Sequence, residues 1–380
     1  MKTLNIRLSS LIAPLCAVAM TMALAVGGCG SSNNSSPSPK HTPTTTPSPT
    51  PTLSVALWVA NGTNVLEFAP SQLLVPGATS PIPTLTNNSA AFGAPQGVTF
   101  DSVGDLWVID GGTVAAGGTI PPALDEFTPA QLSALSTNPA PAPNVQISFI
   151  GFKFPQQAVF DTKGDLWVSD NGSNAVFEYT PAQLAAGGAN LLPNAGFISS
   201  VPFTGPLGIA FDATGNLWIA NNGDTSIFEF NAASLPLGPT AGVILTPNVI
   251  LSDDGAGSIQ GPWALIFDAA GNLWSSNANT PDTIVEFAKS MLGTTGAPVP
   301  AVTISPTTVV ANEPSLIGPN GIAFDNLGDL AAANSLAPFS ISFFSKAQLG
   351  ASGATVPGVF FSGTPTLLNA PAGDVFGPLH

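Results

Sequence analysis

A proline recurs six times in this 380-residue chain, at intervals of 51 to 60 residues. The residue after it varies among the copies, with five types in six places: Gln96, Gln156, Leu207, Trp263, Asn320 and Ala372. The proline is kept and its neighbour is not, so the fold does not dictate that neighbour. Amides and an indole in such a set suit a sugar or a peptide, through stacking and hydrogen bonding. Gln96, Gln156, Trp263 and Asn320 are the expected ligand contacts.

A second set recurs with little variation: Asn61, Asp110, Asp170, Asn221, Asn277 and Asn334. Uniform Asn or Asp points to a side chain that bonds the backbone of a neighbouring turn. The two charged members, Asp110 and Asp170, are also candidates to add carboxylates to a ligand site. A third set, Glu67, Glu126, Glu178, Glu229 and Glu286, invites a catalytic reading, with Phe343 in the sixth place. Recurrence at one repeat position favours exposed strand residues instead, and no catalytic residue is assigned.

Other chemistries are removed by what the repeats lack. The two histidines, His41 and His380, lie outside the repeated strings, so a histidine-based zinc site or a Ser-His-Asp triad within the repeats is excluded. Cys16 and Cys29 precede the repeats, which therefore hold no disulfide and no thiol chemistry. From residue 53 onward four lysines face all 22 acidic residues, a formal charge of −18, which repels nucleic-acid phosphates.

The elements that must position these residues come from one repeated segment. Its first part reads G-P-x-G-I-A-F-D-x-x-G-N-L-W, with its Asp at 101, 161, 212, 268 and 325. Its second part reads V-x-E-F-T-P-A-Q-L and begins near Val65, Leu124, Val176, Ile227, Ile284 and Ile341. The first part has five copies, the fifth degraded from Gly318 to Ala331, and the second has six. The shortfall is made up at the C-terminus, where Ala370-Pro371-Ala372-Gly373-Asp374-Val375-Phe376-Gly377 matches A-P-x-G-x-x-F-D with Gly for Asp.

The expected fold is an all-β six-bladed β-propeller with four-stranded antiparallel blades, its ring closed by the C-terminal strand. Strand one is G-I-A-F-D. Asp and Gly then make a tight turn into strand two, L-W-V-A-N. V-x-E-F is strand three, and Thr-Pro begins a short helical turn as cap and first residue. The fourth strand is the loosest, as at 144–149, 248–252, 301–305 and 359–362. The recurring Phe and Trp fill the layers between blades.

From about residue 53 to 380 the pattern resembles the NHL-repeat propellers, a group that spans scaffolds, ligand binders and enzymes. Gluconolactonase-like propellers are similar in outline, and that resemblance implies a divalent metal such as Ca2+ held largely by the residue after the proline. Only Asn320 matches that ligand pattern, so no cofactor is expected. Virginiamycin-inactivating lyases carry similar strings, but that family relies on a histidine base and seven blades, and neither is found here.

The N-terminal region reads as an address and a tether. Met1 to Arg7 carries two positive charges, residues 8–26 are mostly apolar, and Val26-Gly27-Gly28-Cys29 follows. This resembles a bacterial lipoprotein signal, and the resemblance implies cleavage after residue 28 and lipid on Cys29. Residues 29–52 then form a Pro/Ser/Thr-rich tether, and 53–380 the propeller. The expected protein is a single-copy, non-catalytic binding module in the bacterial cell envelope, facing periplasm or exterior. Its membrane contact is the lipid alone, and its partner is a glycan, a peptide or an envelope protein. A metal-dependent lactonase-like hydrolase and a structural or adhesive surface protein are the alternatives.

Overall fold

The computed structural model describes residues 52–75, 81–86, 92–115, 118–236, 238–310, 313–363 and 366–380. The expected signal, Cys29 and nearly all of the tether lie outside these residues.

Each blade grows from the Asp turn. Asp101 Oδ1 accepts the backbone N–H of Val103 at 3.0 Å and of Asp105 at 2.9 Å, and Gly104 closes the turn at φ 91°. Asp161, Asp212, Asp268 and Asp325 bond their own turns in the same way. The turn pairs Pro95–Phe100 with Leu106–Asp110. Ala123–Phe127 and Val145–Ser148 complete the second blade, all antiparallel. The third to sixth blades repeat this order, starting at Pro155–Phe160, Pro206–Phe211, Pro262–Phe267 and Pro319–Phe324. After strand three, Thr128 and Thr180 cap short helices, Pro129–Ser133 and Pro181–Ala186. Each has proline in its first turn, and Gln131 or Gln183 completes a capping box.

The ring closes as the repeat count requires. The C-terminal Pro371–Gly377 is the innermost strand of the first blade and pairs antiparallel with Ala56–Asn61. Asn64–Phe68 and Ile82–Thr86 finish that blade. The chain tail also does the work of the absent turn. Trp58 Nε1 donates to the Pro378 carbonyl at 3.2 Å, where Trp218 and Trp274 donate to the turn carboxylates of Asp212 and Asp268.

Blades are joined by aromatic contacts at each junction. Trp58, Trp107, Trp167, Trp218 and Trp274 each meet the Phe of the following blade edge to face, at centroid distances of 5.8 to 6.4 Å. At the sixth junction Ala331 stands in the Trp position, and Phe343, opposite it across the strands, reaches Phe376 instead.

Two blades depart from four strands. Thr240–Leu245 leaves the fourth blade and pairs parallel with Ala195–Ser199, the outer strand of the third. Gly353–Ala354 of the sixth blade does the same to Val302–Ser305 of the fifth. Single parallel bridges at Ile147–Gly188 and Leu251–Gly296 repeat the device on a smaller scale. These straps satisfy part of the outer edges, which otherwise present free N–H and C=O groups to other chains. Among the described residues no helix is long and apolar enough to cross a membrane.

Candidate functional site

The proline that opens each innermost strand pairs with the Asn or Asp that ends strand two, as in Pro95 with Asp110 and Pro262 with Asn277. Just past the proline the register shifts in all six blades. The variable residue is thus the extra one of a β-bulge, released from the ladder at one mouth of the channel. Bulges of this kind re-aim a side chain without disturbing the strand below. A side chain at Gly208 would collide with the Trp263 carbonyl, so the glycine after this bulge lets the fourth blade close on the fifth.

The six bulge residues differ in access. Gln96 and Trp263 are half-buried, and they belong to opposite blades of the six-membered ring. Gln156, Leu207, Asn320 and Ala372 are buried. Gln96 Nε2 bonds the Ala94 carbonyl at 3.1 Å, which leaves its amide oxygen for other donors.

Asp110 and Asp170 do not reach the mouth. Both are fully buried. Asp110 accepts the N–H groups of Gly93, Ala94 and Gly112 at 2.7 to 2.9 Å. Asp170 accepts those of Lys153, Phe154 and Ser173 at 2.8 to 3.1 Å. A ligand contact would require these bonds to be given up. Burial pushes the Asp110 carboxyl above its ordinary range, against the lowering effect of its three donors. The Asn members brace the same loop through Oδ1, which accepts Thr204, Gln260, Ile317 and Asn369 N–H groups.

The choice between Asn and Asp follows the residue opposite. Asn221, Asn277 and Asn334 face Ser226, Thr283 and Ser340, and each donates its amide to that hydroxyl. Asp110 and Asp170 face Ala123 and Ala175, which offer no acceptor.

The repeated glutamates, expected to be exposed, are not. Glu67, Glu126, Glu178 and Glu229 are buried, and Glu286 is half-buried. Each lies opposite a Trp on the face that packs against the next blade. The alternation of strand three sends them into the junction. Desolvation pushes Glu67 and Glu126 up to about 7. Asn144 and Asn194 donate to Glu126 and Glu178.

The junctions also open as clefts near the turns. One of about 590 Å3 between the second and third blades is lined by Asp105, Trp107, Glu126 and Lys163 among others. Equivalent residues line clefts at the next three junctions, so these follow from the repeat itself.

The channel below the mouth holds a cavity of about 280 Å3 lined by the innermost strands of all six blades. Its walls are largely aliphatic, with Val98, Ala158, Ile209, Leu265 and Ile322 at the position after the P-x-G string. In the first blade that position is Asp374. Both of its carboxyl oxygens are buried with no hydrogen-bond partner among the described residues, and burial raises this carboxyl well above its ordinary range. Aligning the C-terminal string against the other five copies exposes this substitution, yet a search for recurrent residues passes over it because it occurs once. Among the described residues no group of three or more His, Cys, Asp or Glu side chains converges as metal ligands would.

No family model and no curated protein matches the chain. Solved structures resemble it in fold. A protein of unknown function from Bacteroides caccae is 8% identical with a TM-score of 0.56, over 85% of this chain and 99% of that one. A candidate 6-phosphogluconolactonase from Bacteroides fragilis is 12% identical with a TM-score of 0.51, over 85% and 98% of the two chains. A virginiamycin B lyase from Staphylococcus aureus is 16% identical with a TM-score of 0.40, over 69% of each chain.

Proposed function

We propose that the chain is a non-catalytic binding propeller of the NHL-repeat type, held at the bacterial cell envelope by lipid on Cys29. Its ligand is a glycan or peptide taken at the channel mouth. The observation that carries this reading is the β-bulge in every blade: six variable side chains are released from the sheet at one place, while the residues around them repeat. Trp263 and Gln96, the two accessible members, supply an aromatic surface and an amide, with Gln156 and Asn320 bordering them.

The test is binding of the purified full chain to glycan and peptide arrays. The reading expects a ligand whose affinity falls at least about tenfold, roughly 1.4 kcal/mol, in Trp263→Ala with the fold intact. Unchanged binding would remove the mouth from consideration. Stoichiometric calcium in the purified protein would instead favour a lactonase-like activity centred on Asn320. That alternative has in its favour the likeness in fold to the Bacteroides fragilis protein. The envelope location is tested by whether Cys29→Ser releases the protein from the membrane fraction.

A further inference from the structure

The residue before the recurring proline is Ala94, Gly205, Gly261, Gly318 or Ala370 in five blades, and Phe154 in the third. The fold is built five times without a ring here, so packing of the repeat does not ask for one. The ring is 37% exposed, and it is the one aromatic among the exposed large apolar side chains of the described residues. Its neighbour Lys153 is also exposed, at a position that is uncharged in the other blades. The loop that carries the pair is fixed. The Lys153 and Phe154 N–H groups donate to the buried Asp170 carboxylate at 2.8 and 3.1 Å. Phe149 and Phe152, in the turn before them, anchor on Phe177 with ring centroids 5.4 and 5.7 Å away. Gln96 of the second blade meets the same corner. A Cβ added to Gly111 would lie 2.7 Å from Phe154 Cε2 and 3.1 Å from Gln96 Cγ, so glycine there lets both side chains rest on one stretch of backbone.

We infer that Lys153, Phe154 and Gln96 form a subsite of the mouth for the carboxyl end of a peptide whose last side chain is apolar. This deepens the binding reading above and rests on it. Lys153 Nζ donates to the Ile150 carbonyl at 3.3 Å and forms no ion pair among the described residues, which leaves two ammonium hydrogens for a carboxylate. Competing acids stand elsewhere on the mouth. Asp224, Asp253, Asp254, Asp282 and Glu313 all follow strands of the fourth and fifth blades. In the mouth loops of the second and third blades the acids are Asp110 and Asp170, both buried and held by backbone N–H groups.

The surroundings of the ammonium group choose the ligand class. Phe154 and Ile150, which is 77% exposed, offer an aromatic and an aliphatic surface to the last side chain. Gln96 keeps its amide oxygen and one amide hydrogen beyond its bond to the Ala94 carbonyl, a match for the N–H and C=O of the preceding peptide group. A sugar could stack on Phe154 but would gain nothing from Ile150. A phosphate would find one ammonium group and no use for the ring. Asp170 serves the subsite through the backbone, by holding the N–H groups of the two residues that present it.

The experiment is calorimetric titration of the full chain with acetyl-Ala-Ala-Leu as the free acid and, separately, as its C-terminal amide. The free acid should bind about three- to fivefold tighter, as an exposed ion pair allows, and added salt should shrink that advantage. Lys153→Gln, the side chain of the fifth blade at this position, abolishes the advantage. Phe154→Ala, the side chain of the second blade, weakens both forms at least about fivefold. Other blades fold with these residues, so both variants should unfold at the wild-type temperature. Equal affinity of the wild type for acid and amide, binding unchanged in Phe154→Ala, or no binding of either form overturns the inference. The two readings separate cleanly. A negative tripeptide result beside an array ligand lost in Trp263→Ala removes the subsite and leaves the mouth reading. Tripeptide binding lost in Phe154→Ala, with no ligand that depends on Trp263, keeps the subsite and removes the wider site.

Discussion

Phe343 and Phe376 meet edge to face across the last blade junction, with ring centroids 6.4 Å apart and planes at 66°. Every other junction uses a Trp in this role, with a Glu opposite it in the sheet. Here the Trp has become Ala331 and the Glu has become Phe343, so bulk removed from strand two is returned by strand three.

This exchange predicts strong coupling at the seam. Phe343→Ala leaves neither aromatic in place and should cost about 3–5 kcal/mol, read from the denaturant midpoint. Phe343→Glu alone should be no better, since it buries a carboxylate beside Ala331. The double variant A331W/F343E recreates the pair of the other blades and should recover a large part of the loss. Additive effects of the two changes would contradict the compensation.

The Asn and Asp braces predict that one oxygen cannot stand in for an amide nitrogen. Asn277 donates Nδ2 to Thr283 Oγ1 at 2.9 Å and to the Ser258 carbonyl at 3.2 Å. Asn277→Asp turns a carboxylate toward that carbonyl and should destabilise by about 1–3 kcal/mol. Asp110→Asn, the reverse change, should cost a similar about 1–3 kcal/mol by facing an amide N–H toward a backbone donor. Thermal unfolding of both variants checks the pair.

Stability should fall as pH rises through neutrality. Glu67 and Glu126 are pushed up to about 7 and Asp125 to about 8, in each case chiefly by desolvation. An acid whose folded value exceeds its unfolded value binds its proton more tightly when folded. Its stabilising contribution is complete below the unfolded pKa of about 4 and is lost as pH rises through the folded value. Asp212, Asp253 and Asp268 are lowered, against the opposing effect of desolvation, by hydrogen bonds within their turns, and oppose this trend in the acid range. The denaturant midpoint should therefore be higher at about pH 5 than at about pH 8. The variant E67Q/D125N/E126Q should flatten that dependence. Asp105→Asn should act in the same direction, because the Asp105 carboxyl adds to the desolvation that raises Glu126.

The parallel strap Thr240–Leu245 should protect the outer edge of the third blade. Replacing it with a Gly-Ser segment frees the outer edge of Ala195–Ser199. Self-association measured by light scattering should increase, while the ring remains folded. An unchanged scattering profile would show that the edge needs no cover.

The ring itself was legible before any coordinates. Six copies of one string, one of them split between the ends, leave little freedom: each copy must form the same blade, and the split copy must be rejoined by Pro371–Gly377. Turn chemistry was legible too, because an Asp four residues before its partner N–H is a local interaction that sequence spacing specifies. What tertiary structure decided was the side on which each recurrent polar residue falls. Glu67 and its equivalents occupy a strand position that looks solvent-facing in a single blade. They are buried because a second blade packs on that face with its Phe against the adjacent Trp. Asp374 shows the same division more sharply. Its place in the repeat is written in the chain, but its burial without a partner arises only when the sixth blade packs Gly321 against it.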